Sequence, residues 1–233
     1  MSRRVQYSIG AGIVLLLLAS LFLYESWFGF GGIQSGDATA PTLEADVSEQ
    51  IVYRIDTTQS SVQYEVNEIF AGRDVSTAIG TTTQLAGDIL LDTDDYANSQ
   101  VGTIVINVEQ FTSNSDLRDR RIRQEFLESE SYPEATFAPT ELVNFPEAIN
   151  EGESYSFQML GELTIRETTQ SEQWDVTATL SDDRLTGTAT ITILMSDYDV
   201  GPIEIIGLVE TSDEVLLTFD FVAIRVSNRI DTE

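Results

Sequence analysis

Residues 153–166, ESYSFQMLGELTIR, carry the clearest strand signal in the sequence. Tyr155, Phe157, Met159, Leu163 and Ile165 fall on one face of an extended chain, and polar residues fall mostly on the other. Alternation with a period of two is typical of a β-strand that has one buried face. This stretch therefore predicts a long strand, and it sets the expectation for the residues on either side of it.

The same alternation recurs over most of the chain after residue 50. It predicts strands at residues 51–56, 61–68, 81–92, 100–110, 135–143, 173–180, 185–195 and 215–226. Residues 57–60 and 92–99 read as turns, and residues 69–80 read as a loop because they hold two glycines and have mixed polarity. Gly87 lies near the middle of a predicted strand, where we expect a bend or a bulge.

Eight or nine long strands in meander order, each with one apolar face, must bury those faces around a common interior. We predict an all-β fold, an antiparallel up-and-down β-barrel of the lipocalin-like kind, because closing the sheet removes its exposed edges. A sandwich of two sheets gives nearly the same pattern, so periodicity alone leaves both architectures open. A barrel of this size is either filled by side chains or holds one small ligand.

Residues 111–137, FTSNSDLRDRRIRQEFLESESYPEATF, interrupt the alternation. They predict one short helix between strands, with Ser113 or Ser115 as its N-cap and Pro133 preventing its continuation. We expect this helix to close one end of the barrel. Arg118 and Arg121 are the candidates for binding an anionic headgroup. A solvated helix face, balanced by neighbouring acidic residues, explains the same arginines.

The first fifty residues differ from the rest. Residues 5–24 carry no charge, follow Arg3 and Arg4, and are long enough as a helix to span a bilayer. We predict residues 1–28 to be a cytoplasmic tip and an N-terminal transmembrane helix, with a cleaved signal peptide as the alternative. Residues 29–50 read as a flexible acidic linker, and residues 51–228 as the barrel domain, placed outside the cytoplasm at the cell surface or in the periplasm.

Composition narrows the possible functions. The chain has no cysteine, no histidine and a formal net charge of −27. Thiolate and imidazole metal sites, catalytic triads and thiol nucleophiles are therefore excluded. Such an acidic surface repels nucleic acid, so we expect no nucleic-acid partner. We predict a protein that is not an enzyme, without catalytic residues, a cofactor or a metal site.

Motifs in order along residues 52–226 resemble the YceI-like domain family. The opening residues Tyr53-Arg54-Ile55-Asp56 and Ser60-Ser61-Val62-Gln63-Tyr64-Glu65-Val66 are similar to its first pieces, as is Leu85-Ala86-Gly87-Asp88-Ile89-Leu90-Leu91-Asp92. The helical stretch with Arg118-Asp119, Phe126-Leu127, Tyr132-Pro133 and Thr136-Phe137 is the most specific match. Gly161-Glu162-Leu163-Thr164-Ile165, Ser196-Asp197-Tyr198 and Asp213-Glu214-Val215 resemble the later pieces.

The resemblance implies a lipocalin-like, polyisoprenoid-binding β-barrel, whose ligand is an amphiphilic isoprenoid or fatty-chain lipid. The apolar strand faces then predict the residues that line a ligand cavity. They are Tyr64, Val66, Ile104, Ile106, Phe126, Phe137, Phe157, Met159, Leu163, Trp174, Ile191 and Ile193.

Two functional hypotheses follow from the sequence. The first is a membrane-tethered carrier for an isoprenoid or other long apolar chain. The second is a structural or interaction module, in which the same faces pack as a solid core and the filled barrel is displayed on a stalk. A lipid in the organic extract of the purified protein favours the carrier.

Overall fold

The computed structural model describes residues 36–226, and a curled antiparallel sheet makes up most of that part of the chain. Its fourteen strands are β1 (Gln50–Ile55), β2 (Ser61–Phe70), β3 (Val75–Thr82), β4 (Leu85–Ala86), β5 (Asp88–Asp92), β6 (Gln100–Val101), β7 (Ile104–Asn107), β8 (Thr112–Ser113), β9 (Glu134–Val143), β10 (Ser154–Ile165), β11 (Thr168–Ser181), β12 (Arg184–Leu194), β13 (Glu204–Ile205) and β14 (Val209–Arg225). Helix α1 (Asp116–Arg121) continues into a π-helical turn at Ile122–Phe126, and 3-10 helices cover Tyr96–Asn98, Val108–Gln110 and Met195–Tyr198.

Several of these strands are pieces of longer ones that keep the same direction. Both β1 and β2 pair antiparallel with β14, at Tyr53↔Arg225 and at Ser61↔Asp220. The turn at residues 57–60 therefore interrupts one long strand and does not reverse the chain. Likewise β3, β4 and β5 follow one another along β2 and β1, and β6, β7 and β8 follow one another beside them.

The pairing order is up-and-down. Counted as continuous strands, β1–β2, β3–β5, β6–β8, β9, β10, β11, β12 and β14 each pair with the next, and β14 pairs with β1 and β2. The ladder thus curls round to the strand from which it started. The predicted all-β antiparallel meander of lipocalin-like form is confirmed. All the described strands belong to one sheet, so the alternative of a sandwich of two sheets is wrong.

Alternation along the strands decides what lies inside the curl. Met159 and Leu163 of β10, Trp174 and Val176 of β11, and Ile191 of β12 are all buried in one hydrophobic core. The intervening positions face outward and carry threonine, glutamate, glutamine and aspartate on the long strands. Residues 153–166 thus form strand β10 as predicted, with the apolar face inward.

The interior has two ends, which we name after the segments that lie there. The loop end carries residues 144–153, between β9 and β10, together with the β5–β6 and β11–β12 connections. The helix end carries α1, the π-helical turn and the connection between β12 and β14. The predicted short helix is confirmed, and the Ser115 side chain caps it by accepting a hydrogen bond from the Arg118 amide at 3.4 Å.

The chain before β1 lies against the outer face of the sheet. The Leu43 amide donates to Asp88 Oδ2 at 3.0 Å, and the Arg54 guanidinium binds the same carboxylate at 2.8 and 2.9 Å. Asp88 is only 2% exposed, so this three-way contact fixes residues near Leu43 to strands β1 and β5. Within the described residues, no helix is long and apolar enough to cross a membrane; the predicted transmembrane segment lies outside them.

One predicted loop is wrong. Residues 75–82 form strand β3, which pairs with β2 from Val62↔Thr82 to Ile69↔Val75. Its outward side chains include Val75 and Ile79, which are exposed, while the inward positions carry the small residues Ala78 and Gly80. Small inward and apolar outward residues invert the usual pattern, and that inversion hides the strand from a reading of periodicity.

Candidate functional site

A cavity lies inside the curled sheet at its loop end. Strands β5, β6, β7, β10, β11, β12 and β14 contribute its walls, and residues 144–153 cover it. The aliphatic and aromatic side chains of the wall include Ile89, Leu91, Val101, Ile104, Phe157, Met159, Val176, Leu180, Leu185, Phe219 and Phe221. The lining is almost wholly apolar, so the space favours hydrocarbon over any charged group.

The cavity is small, with a volume of about 60 Å³. Sites that enclose a drug-sized ligand have roughly 300–1,000 Å³. The side chains therefore occupy most of the interior, and a long chain can enter only if some of them move. Methionine and phenylalanine, both present in the wall, are the apolar side chains that adapt or pivot most readily.

The covering loop packs by its own apolar side chains. Phe145 meets Phe157 edge to face, with ring centroids 4.9 Å apart and planes at 84°. Pro146 and Ile149 complete the cover. Each of these loop residues is at least partly exposed, so moving the loop uncovers less apolar surface than moving a strand does.

Polar contacts hold the loop at its C-terminal side. The Asn150 amide donates to the Tyr155 hydroxyl at 2.8 Å, and that hydroxyl donates to Glu153 Oε2 at 2.8 Å. The Gly152 amide donates to the Leu180 carbonyl at 2.7 Å. Hydrogen bonds from the Asn150 and Tyr155 side chains lower the pKa of Glu153, because they stabilise its charged form.

The helix end is built from charged and polar groups. Arg118 Nη2 pairs with Glu68 Oε1 at 2.7 Å, and Asp119 accepts from the Ser113 amide at 2.9 Å and from the Ser113 hydroxyl at 2.5 Å. Glu68 and Asp119 are 9% and 6% exposed. Burial, with the nearby Asp119 charge, raises the pKa of Tyr64 to about 12. Around Arg118 and Asp119 these side chains form mutually satisfied pairs.

A second polar pair joins β11 to the 3-10 helix at Met195–Tyr198. Tyr198 is fully buried and its hydroxyl donates to Glu172 Oε1 at 2.7 Å. Burial first, and then this hydrogen bond, raises the pKa of Tyr198. Trp174 lies two positions along β11 from Glu172, with its ring centroid 5.8 Å from that of Phe137. Its buried indole N–H has no hydrogen-bond partner in the described part of the chain.

The structure divides the twelve predicted lining residues between cavity and core. Ile104, Phe157 and Met159 line the cavity. The others, apart from Phe126, belong to the packed core or contact it: Tyr64, Val66, Ile106, Phe137, Leu163, Trp174, Ile191 and Ile193. Phe126 is half-buried at the end of the π-helical turn. Whether any of them binds a ligand stays a prediction.

The two headgroup candidates differ in their surroundings. Arg118 is committed to Glu68, Ser113 and Asn114, so its charge is already neutralised in part. Arg121 is half-buried in the same helix. Their binding of an anionic headgroup also stays a prediction, and the paired carboxylate makes Arg118 the weaker of the two candidates.

Sequence reasoning missed several cavity residues. Phe219 and Phe221 line the cavity from β14, and their positions follow the same alternation as Val215, so the pattern contained the signal. Phe145 and Ile149 lie in a loop with no periodicity. No local signal in the sequence marks those two as part of a cavity wall.

Comparison with known proteins identifies the family. The sequence profile of the YceI-like domain matches residues 53–223, which is most of the chain. A comparison with curated protein sequences finds no match. The helical stretch that resembles this family lies within the matched range.

Solved structures of similar fold come from several bacteria. Burkholderia cenocepacia BcnA is 19% identical, with a TM-score of 0.58 over 72% of this chain and 98% of its own. A polyisoprenoid-binding domain of Saccharophagus degradans is 16% identical, with a TM-score of 0.56 over 75% and 98% of the two chains. A Campylobacter jejuni YceI protein is 16% identical, with a TM-score of 0.51 over 83% and 95%. At these identities the likeness concerns the fold.

Proposed function

Because the chain belongs to the YceI-like domain family, we propose that it binds an isoprenoid or other long apolar chain inside its curled sheet. The structurally similar domain from Saccharophagus degradans is described as polyisoprenoid-binding. The proposed role is that of a carrier, which holds one lipid molecule for storage, transport or scavenging. It involves no catalytic step by this chain.

The observation that carries this proposal is the apolar lining of the cavity at the loop end. Burial of one methylene group contributes about 0.8 kcal/mol, so ten of them contribute about 8 kcal/mol. That free energy corresponds to a dissociation constant of about 1 μM, before the cost of ordering the chain and opening the protein. A long apolar tail therefore has enough driving force to bind without any ionic contact.

Binding requires the cavity to expand from its volume of about 60 Å³. The loop at residues 144–153 is the segment that can give way, because Phe145 and Ile149 cover the cavity while remaining partly exposed. Displacing both side chains opens a path between the aromatic walls formed by Phe157 and Phe221. The ordered strands need not separate.

The small cavity also supports a second candidate function. If the interior stays filled, the domain is a structural or interaction module, in which the same apolar side chains serve only as core. The two candidates differ in one property. A carrier takes up an apolar chain and a filled module does not.

Mass spectrometry of an organic extract of the purified full-length protein separates these candidates. We expect a lipid in near-stoichiometric yield. Ala178→Phe is the matched control, because Ala178 lines the cavity and the larger side chain fills it at a cost of about 1–3 kcal/mol. Lipid that remains in the folded control variant is bound elsewhere. A clean extract, with no uptake of added geranylgeraniol or palmitate, favours the filled module.

We also propose that the protein is tethered to a membrane, with its N-terminus cytoplasmic and the sheet domain extracytoplasmic. Arg3 and Arg4 before an uncharged run, and only acidic charges between that run and Arg54, support this topology. Protease added to intact cells or spheroplasts tests it. Degradation of the domain is expected, and protection until the cells are lysed contradicts the topology.

A further inference from the structure

The indole of Trp174 is the feature of the interior that ordinary core packing leaves unexplained. The side chain is only 5% exposed, and its N–H has no hydrogen-bond partner within residues 36–226. A buried donor without an acceptor costs free energy, and almost all such groups in proteins are paired. Phenylalanine or leucine fills a core position without that cost. An acceptor supplied by a ligand would remove this cost.

Trp174 lies next to the inner part of the cavity. It faces Met159 across the β10–β11 pair, and Met159 lines the cavity. Val176, two positions away on the same face of β11, also lines it. Leu180 lines the cavity nearer the β11–β12 turn, six positions from Trp174 and so about 20 Å away along the strand.

Beyond Trp174 the interior contains a polar pair among apolar core residues such as Leu163 and Ile193. The next inward residue of β11 is Glu172, which accepts the hydrogen bond of the buried Tyr198 hydroxyl. Between Leu180 and Trp174 the inward residues Val176 and Ala178 are apolar. An amphiphile that enters from the loop end therefore meets apolar side chains from Leu180 to Val176, and a hydrogen-bond donor at Trp174.

Building on the proposed carrier function, we infer that Trp174 donates a hydrogen bond to an oxygen atom at the polar end of the ligand. The ligand enters from the loop end with that oxygen leading and comes to rest with its apolar chain between Trp174 and Phe145. The oxygen belongs to an uncharged group, such as a carbonyl, ether or hydroxyl, because none of the described residues that line the cavity is cationic. A charged headgroup is not accommodated at this depth.

A nitrogen-15 experiment on the full-length protein in detergent tests the inference directly. The chain contains two tryptophans, Trp27 and Trp174, and Trp27→Phe assigns the two indole signals. The probes are a C20 isoprenoid ketone and a C20 isoprenoid hydrocarbon of the same length. We expect the ketone, and not the hydrocarbon, to move the Trp174 indole proton downfield, as a new hydrogen bond to a carbonyl does.

Affinity measurements on Trp174→Phe provide the second readout. Loss of one hydrogen bond weakens ketone binding about fivefold, while hydrocarbon binding changes less than twofold. Trp27→Phe leaves both affinities unchanged. If the ketone binds with no downfield shift, or if Trp174→Phe weakens both probes equally, Trp174 is only an apolar wall and the inference fails. If the wild-type protein binds neither probe, the carrier function fails as well.

Discussion

At the loop end, the interior of the sheet is bounded by Phe145, Phe157 and Phe221, and at the helix end by Glu68, Arg118 and Asp119. Both ends are built on the same eight continuous strands. At the loop end the contacts around the cavity of about 60 Å³ are apolar and without direction. At the helix end the contacts of Glu68, Arg118 and Asp119 are directed hydrogen bonds and an ion pair.

This difference assigns different tasks to the two ends. Directed pairs between buried charges permit one arrangement, because any displacement leaves a charge without its partner. Apolar side chains can exchange one set of neighbours for another at small cost when the total volume is conserved. The helix end is therefore expected to stay fixed while the loop end changes shape around a ligand. The predictions below test that contrast, in order of expected effect.

Arg118→Met is expected to have the largest effect. It leaves the Glu68 carboxylate, 11% exposed at its side chain, without its cationic partner. Breaking a buried pair in this way costs about 3 kcal/mol of unfolding free energy, at the lower end of the usual range because Arg118 is 22% exposed. Urea unfolding followed by circular dichroism measures the loss.

Arg120→Met is the matched control, because Arg120 lies in the same helix and is exposed. Its effect is expected to be within 0.5 kcal/mol, as is usual for surface positions. If Arg118→Met is equally harmless, the helix end is not held by its ion pair. Arg118 is then free to bind an anionic headgroup, as the sequence predicted.

Gly80→Ala is expected to destabilise the helix end by about 2 kcal/mol. A Cβ atom at Gly80 lies 2.3 Å from Cε1 of the Tyr64 ring, which faces it across the β2–β3 pair. The double variant Gly80→Ala with Tyr64→Leu removes the overlap, so its loss is smaller than the sum of the single losses. Gly36→Ala is the neutral control, because no atom of the described residues lies within 4 Å of the new Cβ. Additive losses contradict a steric cause.

Phe145→Ala is expected to lower stability by only about 1 kcal/mol, because the side chain is half-buried at the cavity cover. Its larger effect is kinetic, since an opened cover speeds the uptake of a fluorescent fatty alcohol, measured by stopped flow. Ile206→Ala is the control for truncating an apolar side chain, since Ile206 is 94% exposed. Equal uptake rates in the wild type and both variants mean that the ligand does not enter past this loop.

Acidification is expected to have the smallest effect on the loop end. The pKa of Glu153 is lowered in the folded protein, so its contribution to loop stability is present above the ordinary value of 4.5 and is lost as the pH falls through the lowered pKa. NMR relaxation of residues 144–153 should show the loop loosening below pH 4.5. Glu153→Gln removes the transition, and Glu147→Gln in the same loop retains it. A transition that survives Glu153→Gln excludes Glu153 as its cause.

Local patterns predicted much of the strand framework. Alternation marked β10 and β12 almost to the residue, and Gly87 indeed separates β4 from β5. At that glycine a Cβ atom meets the Ile104 Cδ1 atom at 2.5 Å, so the close approach of two strands requires the missing side chain. Each of these features depends on residues within one strand or turn, which is why sequence reasoning found them.

Local patterns failed where the inward residues are small or the contacts are distant in sequence. Strand β3 was predicted as a loop because Ala78 and Gly80 point inward and Val75 and Ile79 point outward. The turn after β1 gave no sign that the chain continues in the same direction, since β14, which pairs with both strands, lies more than 140 residues further on. A turn's composition does not record which strand pairs beside it.

The sequence by itself determined an all-β meander with one short capped helix, because backbone periodicity and capping act over a few residues. It also determined the absence of histidine and cysteine chemistry. Only the tertiary structure decided that Arg118 is paired with Glu68, fifty positions away, and that Phe145 covers the cavity. It also decided that no described residue accepts a hydrogen bond from the Trp174 indole N–H. These contacts join residues that are far apart in the sequence and that only the curled sheet brings together. The local sequence around one residue does not identify its distant partner.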